Sequence, residues 1–293
     1  MTSYVAAANG ITLLSIRYVR DMLGRIAEKT ETIEGVTDTY GYAHDQTGQL
    51  TNVMKNGVTT ASYSYDSNGN RLSGPGFTVP SIRGAQDRLL EYSDADYTYT
   101  ADGELKTKTV GGQTTTYNYD LLGNLVGVAL PGGTRIDYLI DASNRQMGKR
   151  TDGVLAHVLL YQDWLKPSAE LDRAGNVVGR FVYAGRVNVP SFVVKGGSTY
   201  RVITDHLGSS RLMVDTVTGA VVQRVDYDEF GRVERDTRPG FVPFGFAGGI
   251  RDVHTDFVRF GRRDYFPAVG RWTKKDTILF SGGRPQSFSV RPE

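Results

Sequence analysis

The carboxylates that recur at a fixed place along this chain are the first candidates for chemistry. Nine short segments share a turn residue, Gly or Asn, and in eight of them an aspartate stands three positions earlier. The turn residues are Gly24, Gly48, Gly69, Gly103, Gly123, Asn144, Gly175, Gly208 and Gly231. The residues three positions earlier are Asp21, Asp45, Asp66, Thr100, Asp120, Asp141, Asp172, Asp205 and Asp228. Calcium loops and acid-base pairs need several carboxylates in one place, whereas each segment supplies one, so we expect these aspartates to cap turns.

Other reactive side chains show no arrangement typical of a catalytic or metal site. His44, His157, His206 and His254 have no partner at ligand spacing, so we expect them on the surface or in loops. The basic residues between 259 and 275 alternate with Asp252, Asp256 and Asp264, which favours a structural ion-pair network over phosphate binding. The Gly-rich run 245–249 lacks a P-loop context, and Ser209 and Ser210 do not form a nucleophile elbow. We therefore predict no enzyme, no metal and no cofactor.

The elements that position these aspartates are predicted to be strands. Tyrosines stand six and four positions before the turn residue, as in Tyr63 and Tyr65 before Gly69, and such a spacing places them on one face of a strand. Asp starts a turn, Gly adopts the positive φ that the turn requires, and a second strand follows. The pattern predicts an all-β fold, a spiral of stacked β-hairpins that bury their tyrosines against one another. An aromatic ladder for carbohydrates is the alternative use of the same rings.

Helix is expected at two places only. The run ITLLSIRYVRDML at 11–23 and the run DWLKPSAEL at 163–171 are the candidates, and Pro167 would break the second helix.

Composition excludes several classes of protein. The 293 residues carry 34 Lys and Arg against 32 Asp and Glu, a net charge of +2, so no strong field favours nucleic acid or an anionic membrane. Cysteine is absent, which excludes disulfides and thiolate chemistry. No apolar run is long enough to span a membrane, and no signal peptide is recognised. These features do not assign the protein to a cellular compartment.

The segments resemble a known family, the RHS or YD-repeat proteins. The matching repeat residues are Tyr65, Asp66, Gly69, Tyr119, Asp120, Gly123, Asp205, Gly208, Tyr227, Asp228 and Gly231. The stretch 243–276 is similar to the RHS repeat-associated core, with Phe244, Phe246, Tyr265, Gly270, Arg271 and Trp272 as its structural residues. The resemblance covers about residues 18 to 283 and implies a bacterial shell of β-hairpins, often exported, that encloses a toxin or effector cargo.

The family resemblance also implies an aspartyl autoprotease in many members. Asp276 aligns with one of its two aspartates, but the second, in a D-P-x-G-L motif, has no counterpart in this sequence. Because aspartyl chemistry needs two carboxylates that share one proton, we expect Asp276 to be inactive.

The sequence thus predicts four segments: 1–17 as an N-terminal segment, 18–235 as the YD-repeat β-shell, 236–283 as the core segment and 284–293 as a divergent tail. We expect a non-catalytic scaffold, the C-terminal part of a shell and a truncated remnant of a polymorphic toxin. Its expected partners are further shell repeats or a cargo on a neighbouring chain. The alternative is a surface module that binds a glycan or a protein.

Overall fold

The computed structural model describes residues 2–75, 81–186 and 188–274. The regular elements of these residues are strands and two single-turn 3-10 helices, Ala85–Asp87 and Phe246–Gly248, with no α-helix. The all-β prediction is therefore confirmed. The chain divides into two compact units between Asp94 and Ala95.

The described residues of the first unit form ten strands. Strands β1 to β6 form one antiparallel sheet in chain order, β7 pairs with β8, and β9 pairs with β10. The strands are β1 (Ser3–Ala8), β2 (Ile11–Arg20), β3 (Ile26–Ile33), β4 (Val36–His44), β5 (Leu50–Lys55), β6 (Val58–Ser62), β7 (Ser64–Tyr65), β8 (Arg71–Ser73), β9 (Ile82–Arg83) and β10 (Leu89–Tyr92).

The second unit is built on a long antiparallel sheet in which each strand pairs with the next one along the chain. Its strands are β11 (Ala95–Tyr99), β12 (Leu105–Val110), β13 (Gln113–Tyr119), β14 (Leu125–Ala129), β15 (Arg135–Ile140), β16 (Gln146–Thr151), β17 (Val154–Tyr161), β18 (Pro167–Leu171), β19 (Val177–Val182), β20 (Phe192–Lys195), β21 (Ser198–Thr204), β22 (Ser210–Asp215), β23 (Val221–Tyr227) and β24 (Val233–Asp236). A four-stranded sheet follows, made of β25 (Ile250–Arg251), β26 (Val258–Phe260), β27 (Arg263–Phe266) and β28 (Arg271–Trp272).

Two kinds of turn recur between these strands. The Asp-x-x-Gly turns found in the sequence join one set of neighbouring strands, such as β13 and β14. Two-residue turns join strands at the opposite end, and both of their residues have positive φ, as at Asn56 (51°) and Gly57 (80°). This geometry is that of a type I′ hairpin, which matches the twist of the strands it connects.

Both helix predictions are wrong. Residues 11–20 form β2, in which Leu14, Ile16 and Tyr18 alternate on the buried face with the period of two that a strand requires. Asp163 instead begins a turn, where its carboxylate accepts the N–H groups of Leu165 and Lys166. Pro167 is the first residue of β18, a position where the missing N–H of proline is tolerated.

The apolar core of the second unit lies between the sheet and the residues that follow β24. Sheet residues Leu159, Phe181, Val193, Val202 and Met213 are buried against Phe241, Val242 and Phe244. Burial of side chains of this size stabilises the fold by roughly 1.5–3 kcal/mol each before conformational entropy is counted. The segment boundaries predicted from the sequence remain predictions.

Candidate functional site: the repeat turns and the core segment

All nine turns adopt one backbone conformation. In each, the N–H of the first residue donates to the carbonyl of the fifth, and the N–H of the fourth residue donates to the carbonyl of the first. The fourth residue has positive φ, from 61° at Asn144 to 95° at Gly103. The strand register shifts by one residue beside the turn, as between Asn118 and Tyr119. This arrangement is a type I turn followed by a bulge at a left-handed residue, so glycine is favoured there on steric grounds.

The repeat aspartates accept hydrogen bonds from their own turns. Asp120 Oδ1 accepts the backbone N–H groups of Leu122 and Asn124, both at 2.9 Å, and Oδ2 accepts Asn124 Nδ2 at 2.9 Å. Burial alone would raise the pKa of Asp120, but the hydrogen bonds from Asn124 and Leu122 hold it below the usual 3.8. The carboxylates of Asp66, Asp205 and Asp228 likewise accept backbone N–H groups of their turns. Every one of these contacts is local, as expected for turn capping.

Side chains beside the turn glycines connect one turn to the next. In the first unit, Arg25 Nη1 donates to the carbonyl of Asp45 at 3.2 Å. In the second unit, Asn124 Nδ2 donates to Asn144 Oδ1 at 2.8 Å, and Arg145 Nη1 donates to the carbonyl of Asp163 at 2.8 Å. Within each unit, these turns are therefore linked to one another along the edge of the sheet.

The tyrosines of the repeats pack inside. Tyr18, Tyr63, Tyr97, Tyr117 and Tyr138, which stand six positions before a turn residue, are 5–6% exposed. The tyrosines four positions before it are partly buried. Burial raises the pKa of Tyr65 to about 12 and raises the pKa of Tyr119 and Tyr227 well above the usual 10. Tyr42, which also stands six positions before a turn residue, is partly buried. Because the five buried rings are not available to stack on sugars, the structure favours the packing role over the carbohydrate ladder.

The described part of the predicted core segment, residues 236–274, is called the core segment below. Its aromatic rings meet those of the sheet: Phe244 contacts Phe181 edge-on with centroids 4.9 Å apart, and Phe257 stacks on Tyr117 at 5.3 Å. Phe246 lies between Tyr227 and Tyr265 at 6.0 and 6.2 Å. These pairs place much of the aromatic content of the core segment against the sheet of the same unit.

The end of the core segment is organised by a hairpin and a tight turn. Tyr265 and Trp272 face each other across β27 and β28, with ring centroids 5.6 Å apart. Gly270 has a φ of 65° and donates to the carbonyl of Pro267, and Arg271 then pairs with Phe266. This turn is where the sequence places the family's Gly-Arg-Trp motif.

Polar contacts anchor the core segment to the turns and strands. Tyr265 Oη, which is buried, donates to the carbonyl of Phe230 at 2.9 Å. The N–H of Leu105 donates to the carbonyl of Thr273 at 2.9 Å, and Lys274 Nζ donates to the carbonyl of Gly123. These bonds join residues more than thirty positions apart and fix the core segment on a defined part of the sheet.

A buried ion pair reinforces this attachment. Lys149 Nζ in β16 lies 3.0 and 2.9 Å from the two carboxylate oxygens of Asp252, and the two side chains are 6% and 9% exposed. Tyr138 Oη donates to Asp252 Oδ2 at 2.8 Å. Burial alone would raise the pKa of Asp252, but the Lys149 ammonium holds it below 3.8. Sequence analysis missed Lys149 because one lysine in a strand carries no motif.

Asp264 is a second buried carboxylate of the core segment. Asp264 is 4% exposed, burial raises its pKa, and Arg259 Nη1 donates to it at 3.1 Å. Asp256 pairs with Arg251 at 2.7 Å. All three aspartates enter ion pairs, but among the described residues only Asp264 pairs with a member of the basic cluster 259–275, since Asp256 pairs with Arg251 and Asp252 with Lys149. Asp276 lies outside the described residues.

The residues that the structure describes contain neither a metal-binding cluster nor a membrane-spanning helix. No group of three or more His, Cys, Asp or Glu side chains is placed to hold a metal ion. No helix in the described ranges is long and apolar enough to cross a membrane. Contrary to the expectation that the histidines lie in loops or on the surface, His157 lies within β17, and His44 is the last residue of β4.

Antiparallel hairpins joined by Asp-x-x-Gly turns, with an aromatic segment folded onto the sheet, define the class of RHS or YD-repeat proteins. Comparison with known families agrees: the Teneurin YD-shell family model matches residues 2–288, and the chain belongs to that family. The resemblance to RHS or YD-repeat proteins that the repeat residues indicated is thereby confirmed.

Relatives and solved structures fit this assignment. Teneurin-4 of Mus musculus is 27% identical over 290 residues, which are 95% of this chain and 10% of that protein. Teneurin-3 of Danio rerio is 28% identical over 290 residues, or 94% of this chain and 10% of the relative. The chain therefore spans about a tenth of the length of these curated relatives. Both are animal proteins, so the expected bacterial origin and toxin descent remain predictions.

The solved structures show a likeness of fold alone. The crystal structure of TcdB2-TccC3-Cdc42 aligns with a TM-score of 0.58 at 15% identity, over 96% of this chain and 16% of that chain. The crystal structure of TcdB2-TccC3 aligns with a TM-score of 0.52 at 14% identity, over 94% of this chain and 18% of that chain.

Proposed function

We propose that this chain is a non-catalytic scaffold segment of a larger YD-shell assembly, in which the core segment seals the inner face of the strand sheet. The observation that carries the proposal is the buried pair of Lys149 and Asp252, because it fixes the core segment to a strand more than a hundred residues earlier. Loss of either partner leaves the other charge buried alone and strongly destabilises the fold. The pair therefore favours one position of the core segment.

The proposal also concerns what the assembly encloses. The fold likeness to TcdB2-TccC3 and the family membership support a wall that encloses other polypeptide, either further repeats or an effector cargo. The repeat residues then act structurally: the aspartates cap turns, the glycines permit positive φ, and the tyrosines fill the interior. The aromatic residues of the core segment fill the space over the sheet.

The attachment of the core segment is tested by cutting the chain near the beginning of that segment. A site-specific protease sequence inserted between Pro239 and Gly240, which are both exposed, allows cleavage of the folded protein. We expect the two pieces to elute together in size-exclusion chromatography without denaturant and to separate at lower urea when Lys149→Met is added. Separation of the wild-type pieces in native buffer would contradict the proposal.

The absence of catalysis is tested by mass spectrometry of the intact chain. We expect one mass, that of the full chain, after prolonged incubation of freshly purified protein. A discrete cleavage product that disappears in Asp276→Asn or in Asp264→Asn would show self-cleavage and overturn the non-catalytic part of the proposal.

A further inference from the structure

Two histidines face the ion pair that holds the core segment. His157 in β17 stands directly opposite Lys149 in β16, and residues paired in this way project from the same face of a sheet. His254 belongs to the core segment, and its Nδ1 lies 2.9 Å from Lys149 Nζ. Because an ammonium group can only donate, this contact requires an unprotonated Nδ1 on His254.

The charged groups around these histidines come from four elements. Asp252 accompanies His254 on the core segment, with its Oδ1 3.6 Å from His254 Nδ1. Glu170 in β18 and Lys195 in β20 form a second pair at 2.9 Å, and Lys195 also donates to the carbonyl of Phe241 at 2.9 Å. Burial lowers the pKa of His157; Lys149 and Lys195 act in the same direction, whereas Glu170 and Asp252 oppose the shift. Burial therefore favours the neutral form of His157 in the folded chain.

We propose that His157 and His254 form an acid-sensitive latch on the ion pair of Lys149 and Asp252, and that protonation of these rings loosens the turn 252–256 of the core segment from the sheet. The inference rests on the proposed attachment of the core segment and adds a condition under which that attachment weakens.

The sign of the effect follows from the contacts. Protonation converts His254 Nδ1 from an acceptor for Lys149 into a second cation that competes for Asp252. Protonation of His157 places a further positive charge opposite Lys149. The folded-state pKa of His157 is lowered, so the unfolded or detached state binds more protons as the pH falls. The stabilisation is thus complete above the unfolded pKa and is lost on acidification.

Hydrogen exchange of the full chain at pH 7.5 and pH 5.5, corrected for intrinsic rates, tests the latch. The reporters are the amides of Asp252, which donates to Phe257, and Asp256, which donates to Asp252. We expect the wild type to lose protection at these amides severalfold at the lower pH. A double variant, His157→Gln with His254→Gln, keeps its protection because the amides do not titrate and a glutamine oxygen can still accept from Lys149.

The matched control is His206→Gln, which removes a histidine outside this cluster and should behave as the wild type does. Equal loss of protection in the double variant, or no loss in the wild type, overturns the latch. The wild-type measurement decides the matter even if the double variant fails to fold. Amides of 252–256 that are already unprotected at pH 7.5 would instead contradict the proposed attachment itself.

Discussion

The ring of Phe246 lies directly over the backbone of Gly231. A Cβ atom at residue 231 would stand 2.3 Å from Phe246 Cγ, and Gly231 has a φ of 85°. The last repeat turn thus meets two demands at one residue, because its backbone conformation and the approach of the core segment both exclude a side chain.

This double demand makes Gly231→Ala more damaging than the same change in another repeat turn. We expect a loss of about 2–5 kcal/mol in the free energy of unfolding, from a left-handed alanine and from overpacking against Phe246. Gly175→Ala is the matched control, since Gly175 has a φ of 83° and open space around it. We expect about 1–2 kcal/mol there. Urea unfolding gives both values, and equal losses would show that Phe246 does not pack on the turn.

Removal of Lys149 leaves the Asp252 carboxylate buried without its cation. We expect Lys149→Met to lower the free energy of unfolding by about 3–5 kcal/mol. The double variant Lys149→Met with Asp252→Leu should lose less than the single variant, because no charge is then buried alone. Denaturant unfolding of the four proteins completes the cycle. A double variant as unstable as the sum of its parts would mean that the two residues do not interact.

Truncation of a repeat aspartate tests the capping role. Asp120→Ala removes the acceptor of two backbone N–H groups and of Asn124 Nδ2, and we expect a loss of about 1–2 kcal/mol in unfolding free energy. Asp102→Ala is the control, since Asp102 is an exposed turn residue, and a change within about 0.5 kcal/mol is expected. If the two variants were equally stable, the carboxylate of Asp120 would not cap its turn.

Acid should destabilise the turns below the ordinary range of aspartate. Hydrogen bonds hold the pKa of Asp66, Asp120 and Asp141 below 3.8 against the opposing effect of burial. The unfolded chain therefore binds these protons first, and the stabilisation is complete above the unfolded pKa and lost as the pH falls from about 4 towards 2. Thermal unfolding across this range should show a shallower acid decline for Asp120→Asn than for the wild type. An identical decline would argue against the linkage.

Much of the fold was visible in the sequence because its main constraint is local. A turn that needs a left-handed residue favours glycine, and a carboxylate three positions earlier can satisfy its N–H groups, so Asp120 and Gly123 mark the turn wherever the segment occurs. The period of two in Tyr63 and Tyr65 marks the strand before it. The same rule would have identified the two-residue turns from pairs such as Asn56-Gly57, a signal that the repeat search left unused.

The attachment of the core segment could not be predicted in the same way. Lys149 and Asp252 are brought together only by the packing of a long sheet, and neither side chain leaves a periodic trace in the sequence. The first helix prediction failed because the run 11–20 contains enough Leu, Ile and Arg to suit a helix. The alternation of Leu14, Ile16 and Tyr18 was a strand signal in the same run, and pairing with β1 and β3 fixes the strand.

Native-state hydrogen exchange of the whole chain tests the central claim most directly, namely that the core segment is a permanent part of the sheet's packed interior. We expect the amides of β26 and β27 to exchange as slowly as those of β21 and β22, in one cooperative unit. Rapid exchange of β26 and β27 while β21 and β22 stay protected would contradict the account, because the core segment would then detach from an otherwise folded sheet.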